Sequence, residues 1–224
     1  MSDAKPIRLT RVIAIPTVIT LAVTILRLVG ELKHWPTPWF NTAAGGGGAL
    51  VGISWLPVVF GPYFAFKLAA GGDTPASSGK AIGFAFLGLG TFVVAVALFV
   101  ITVRHPSLLT LAAFLLMLIA GFVPLRGWRS LGRVLLAYAL AARLPVLIVM
   151  YCAMIGNGGA GWGTHYDAVN PVLAHLSFGR KYFYAAILPQ LTMWIGWTAV
   201  LGSIFGAIFA AVARRGKQSA PAAA

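Results

Sequence analysis

The chain has 224 residues, of which 59% are hydrophobic and only 9% charged, with a mean hydropathy of +0.89. A soluble domain carries roughly 25% charged residues, so the composition excludes that class and places the chain among membrane proteins. The net charge of +13 is spread in short basic groups between apolar runs, without helix-turn-helix, zinc-finger or aromatic-basic patterns. It therefore reads as a determinant of membrane orientation, and nucleic acid is excluded as a partner.

Lys5, Arg8 and Arg11 belong to an amino-terminal tail, residues 1–11, ahead of a first apolar run at 12–30. A basic start followed by an apolar segment also fits a signal peptide. No small-x-small cleavage site follows directly, and further spans do, so a first transmembrane helix is expected. Arg27, Glu31 and His34 lie on its last turns, and Pro36 and Pro38 stop it. Trp35, Trp39 and Phe40 suit the membrane interface.

After the linker Gly45–Gly48, a second span is expected at 49–68, kinked or broken by Pro57, Gly61 and Pro62. The third and fourth, 81–103 and 108–125, are joined by so short a turn that they form an antiparallel hairpin. The fifth runs over 133–155 and the sixth over 182–212, the latter long enough to tilt or to kink at Pro189. Between them lies an outer loop, 156–181, in which Asn170-Pro171 signals a short interfacial helix at about 170–178. Its two readings are a lid over a cavity and a surface helix that covers the bundle. Residues 214–224 have the composition of a disordered tail. The expected fold is thus all-α: a polytopic membrane protein whose single domain, 12–213, is a six-transmembrane-helix bundle.

Six spans put both termini on one side. That side carries 11 lysines and arginines and the other side 5, with Arg143 inside a span. The positive-inside rule then makes both termini cytoplasmic, as in a bacterial inner-membrane protein. All four histidines, together with Glu31 and Asp167, fall on the outer side.

Arg143 is the residue that most needs explaining. It lies ten residues after Arg133 in an otherwise apolar run, hence ~15 Å along a helix and near the middle of a hydrocarbon core roughly 30 Å thick. Arginine cannot shed its charge, and no acidic residue is expected at that depth. Ser54, Tyr138 and Thr192 supply hydroxyls nearby, and Pro57, Pro145 and Pro189 would free carbonyls of Ile53, Ala141 and Ala185. The first functional reading is an outward-opening cavity in which Arg143, with Arg27 at the entry and Ser54, Tyr138 and Thr192 around it, binds an anionic small molecule or lipid headgroup for transport or lipid handling.

The second reading is a membrane-embedded enzyme with Glu31, His34 and His165 as candidate catalytic groups. Glu31, His34, His105, His165, Asp167 and His175 would be the ligands if a divalent metal were its cofactor. The third is an assembly subunit whose partner, a second copy or another chain, docks on Gly202, Gly206 and Ala210. That small-residue face serves equally for packing within the bundle. The run Gly156–Gly161 matches the dinucleotide-binding pattern, but it follows a transmembrane helix instead of a strand and is a loop. Cys152 stands alone, which excludes an intrachain disulfide.

Overall fold

The computed structural model describes residues 9–46, 49–105 and 107–218; Asp3, Lys5 and Arg8 of the amino-terminal tail lie outside them. The described chain is all helix and loop. Its elements are α1 (Leu9–Leu32), α2 (Leu56–Ala70), α3 (Ser78–Thr102), α4 (Leu108–Phe122, extended by a tight turn at Val123–Arg126) and α5 (Arg129–Gly159). These are followed by the short α6 (Phe178–Tyr182) and α7 (Leu188–Leu191), and by α8 (Met193–Gln218).

Five segments among the described residues are long and apolar enough to cross a membrane: α1, α3, α4 with its turn, α5, and the stretch from α6 into α8. Their outward faces carry Ile15, Val18, Leu87, Val93, Val100, Ile101, Ile148 and Val212, all more than half exposed. A surface so uniformly apolar needs hydrocarbon around it. The chain has the architecture of a helical membrane protein.

The second expected span differs from the sequence reading. Residues 50–55 form bends, and the helix begins only at Leu56, with Pro57 in its first turn. At 15 residues it is ~22 Å long, short of a full crossing. The cause is local: Pro57 lacks an N–H and fits a helix start, while glycines at 45–48 and 52 give the preceding chain no helical drive. Pro57 therefore frees no helical carbonyl at Ile53.

The last span, expected to tilt or to kink at Pro189, is interrupted on either side of that residue. Pro189 sits at the start of α7, after a wide, π-type turn at Phe183–Ile187. At Thr192 the backbone leaves helical geometry, and its hydroxyl donates to the Leu188 carbonyl at 2.5 Å. The outer helix expected at 170–178 shrinks to one turn, Pro171–Leu173, capped by Asn170 Oδ1, which accepts from Val172 N at 3.0 Å. So short a stretch cannot repay helix nucleation. α8, by contrast, continues to Gln218.

The segment from α6 into α8 is the axis of the bundle: 61% of its most apolar stretch is buried, against 22% for α3 and 28% for α1. Small residues let its neighbours approach. A Cβ on Gly196 would overlap the Met117 carbonyl of α4, and one on Gly61 would overlap the backbone at Gly202. Gly202 also takes Leu135 of α5 against it, and Gly206 takes Leu131 and the Gly61 carbonyl. The face of Gly202, Gly206 and buried Ala210 is thus occupied within the chain.

Substituting Gly196→Val should lower stability by about 1–3 kcal/mol, the usual cost of overpacking a tight contact. Gly90, with open space around it, is the control: Gly90→Ala should leave the melting temperature in detergent unchanged or raise it.

Candidate functional site

Where α2 starts late, the bundle is left with a cavity of about 350 Å³. The depth of this void follows from one contact: Trp197 Nε1, one turn into α8, donates to the Ser54 carbonyl at 2.8 Å. The α2 start therefore lies level with the α7–α8 break. Non-helical backbone at such depth is tolerated where it lines a cavity, and Gly52, Ile53 and Ser54 do line it. The remaining walls come from the end of α1, the α3–α4 hairpin end, α5, the 165–173 loop and the Tyr184–Trp194 segment.

Arg143 projects from α5 into this wall and is 4% exposed. Its Nη1 donates to Gln190 Oε1 at 3.3 Å, and its guanidinium lies over the Trp194 ring at 4.8 Å from the centroid. Nε is buried with no hydrogen-bond partner. Among the described residues no carboxylate reaches it. Glu31 and Asp167 are engaged elsewhere, as described below, and Asp73 Oδ1 accepts from Trp128 Nε1 at 3.1 Å. Gln190 and Trp194 were not singled out in the sequence. The signal was available: an amide beside Pro189 in an apolar span, with an aromatic four residues on.

At the end of α1 is a second polar cluster. Arg27 Nε donates to Glu31 Oε1 at 2.8 Å, and its Nη2 donates to the Asn41 carbonyl at 3.1 Å. Glu31, 1% exposed, also accepts from the His165 backbone N–H at 2.8 Å, and His165 Nδ1 lies 2.7 and 2.8 Å from its two oxygens. Gly52 makes room here, since a Cβ on it would stand 3.1 Å from Arg27 Nη1. Tyr166 reaches past His165, and its hydroxyl donates to the Thr24 carbonyl at 3.1 Å. The loop is held in shape by Asp167, whose carboxylate accepts from the N–H groups of Gly163 and Thr164 and from the Thr164 hydroxyl.

The structure therefore brings Arg143, Arg27 and Ser54 to one cavity, as the sequence suggested, but not Tyr138 or Thr192. The Tyr138 hydroxyl is 2.7 Å from that of Thr20, its ring packs on Phe60 and Phe64, and it faces a different core. The Thr192 hydroxyl is taken up by its own helix. Of the six residues considered as metal ligands, only Glu31 and His165 meet. His34, His105 and His175 are exposed, and among the described residues no three His, Cys, Asp or Glu side chains cluster. Of the candidate catalytic groups, Glu31 and His165 are paired, and His34 stands apart on an exposed turn.

Burial holds the His165 imidazole below its ordinary value of 6.5; the hydrogen bond to Glu31 opposes this and the Arg27 charge adds to it. Burial likewise raises the Tyr166 phenol. In the unfolded chain His165 takes up a proton near its ordinary value, whereas in the folded chain it resists. Stability should therefore fall as pH drops below about 6.5, by at most ~1.4 kcal/mol per pH unit, and His165→Gln should flatten that fall in melting curves. Glu31→Gln should cost about 3 kcal/mol, the low end for breaking a buried ion pair, because the cluster lies at the end of the bundle.

A scan against protein-family models finds no match, and searches of curated proteins and of solved structures find none either. Function has to be read from this cavity and the groups around it.

Proposed function

We propose that the protein binds an anionic small molecule or lipid headgroup in the cavity around Arg143, for transport or lipid handling. The observation that carries this reading is a buried guanidinium on a cavity wall, with one hydrogen bond and no carboxylate partner among the described residues. A charge in that position is costly unless an anion completes its shell. Gln190 and Trp194 orient the group, and neither neutralises it.

The cavity opens outward on this reading, and both termini are cytoplasmic. The basic-residue bias supports that orientation: the cavity lies at the end with the α3–α4 turn and the 165–173 loop, away from the basic residues Lys67, Arg126, Arg129, Arg133 and Arg214. The contacts of Ser54 with Trp197 and of Gly61 with Gly202 make α2 and α8 parallel. α2, entered through the bent segment at 49–55, then makes the sixth crossing.

A second reading, a membrane-embedded enzyme, is favoured by one observation: a buried carboxylate fixes His165 through Nδ1 on the cavity wall. This is how a general base is oriented. No comparable observation favours an assembly subunit, since the small-residue face of α8 is spent inside the bundle.

Small anions that co-purify in mild detergent should be detected by mass spectrometry with the wild-type protein and be absent from Arg143→Gln; equal recovery from both, with both folded, sinks the proposal. For orientation, a cysteine introduced at Ala168 in a Cys152→Ser background should react with an impermeant maleimide added to whole cells. Labelling only after lysis would reverse the assignment.

A further inference from the structure

The buried, unpartnered edge of the Arg143 guanidinium, its single net charge and the apolar groups on the cavity wall together specify a ligand more narrowly than "anion". We infer that the cavity takes a monocarboxylate with an apolar body, about a dozen non-hydrogen atoms in all. This deepens the anion-binding reading and rests on it.

The geometry selects the head. Nη1 is used by Gln190 and the ring face by Trp194. Nε is buried with no hydrogen-bond partner, and the bond from Nη1 to Gln190 is the one given to the guanidinium among the described residues, which leaves the edge formed by Nε and Nη2 for a ligand. Those two N–H groups lie parallel, and a carboxylate accepts from both at once.

Charge selects the valence. Arg27, the other cation on the wall, already has Glu31 against it at 2.8 Å, so that pair is neutral. His165 is held toward its neutral form by burial. One positive charge then remains, and a monoanion compensates it. A dianion would leave an uncompensated net charge in a low-dielectric site, which is costly. The start of α2, with Ile53 and Ser54 in the wall and no side-chain cap on its first turn, adds a partial positive potential of the same sign.

The walls select the body. Phe99, Phe114, Val146, Met150, Met193 and Trp194 make up a large apolar part of the lining. Aromatic and thioether side chains pack against a chain or ring without needing hydrogen bonds from it. A volume of about 350 Å³ is at the small end for ligand sites. With ~30 Å³ per non-hydrogen atom, the share of a water molecule in the liquid, it holds about a dozen.

The test uses the full-length protein in nanodiscs of zwitterionic lipid, with decanoate as probe and decanol, decyl phosphate, acetate and inorganic phosphate as comparisons. Binding is read by calorimetry and by the shift in melting temperature of the wild-type protein, which needs no variant to fold. Decanoate should bind and raise the melting temperature. Decanol and acetate should each bind at least about tenfold more weakly, because one lacks the head and the other the body. Arg143→Gln should lose decanoate by about tenfold or more, and Arg143→Lys, which keeps the charge but not the two-donor edge, should recover only part of it.

Decanol binding as well as decanoate overturns the carboxylate head, and acetate binding as well overturns the apolar body. Decyl phosphate or inorganic phosphate binding more tightly than decanoate overturns the carboxylate while leaving anion binding at Arg143 in place. Binding of no anion by the wild-type protein overturns both this inference and the reading beneath it.

Discussion

A guanidinium keeps its charge wherever the chain puts it, and in this bundle the chain puts it among apolar helices. Arg143 is nearly sealed from solvent, with an amide oxygen, an indole face and a void as its surroundings. Folding has to bring polar partners to that depth or leave space for one to arrive, and here it does some of each. Gln190 and Trp194 reach Arg143 because the last span is interrupted between Pro189 and Thr192, which turns that segment towards α5. The remainder of the requirement is met by the cavity itself.

The cavity exists because α2 is short. A full-length helix at 49–68 would fill the space beside Arg143 with side chains. Instead, Pro57 starts the helix at the level of Trp197, and a bent, glycine-containing segment passes over it. The same segment gives Arg27 room against Gly52 and gives it the Asn41 carbonyl as acceptor. A defect in one helix and a charge on another thus belong to a single arrangement, and each would be costly without the other.

Glu31 ties the loop between α5 and α6 to this arrangement. Through its two oxygens it holds Arg27, the His165 backbone and the His165 ring, so the 165–173 loop is fastened across the end of α1 and forms one wall of the cavity. Tyr166 adds a second fastening at Thr24. The short helix expected from Asn170-Pro171 is reduced to a single turn in a pinned loop. What holds it is a carboxylate 134 residues away in sequence, rather than its own helicity.

The membrane class, the helical architecture, the α3–α4 hairpin and an irregularity of the last span around Pro189 were all legible in the sequence. Each follows from local properties: hydropathy over a span, a missing N–H, the shortness of a turn. The same reasoning overestimated α2 and the outer helix, since an apolar run does not show where helical hydrogen bonding starts when proline and glycine compete with it. It also turned Tyr138 and Thr192 towards Arg143 by depth alone, whereas depth says nothing about which way around a helix a hydroxyl points. That of Tyr138 goes to Thr20, although the phenol stays within electrostatic reach of Arg143, and that of Thr192 goes to its own segment. The pairing of Glu31 with His165, the choice of Gln190 and Trp194 as companions of Arg143, and the use of the Gly202–Gly206 face by α2 were decided only by the tertiary structure. They depend on how helices far apart in sequence are rotated and packed, and in this chain the close approach of small residues along α8 sets that packing.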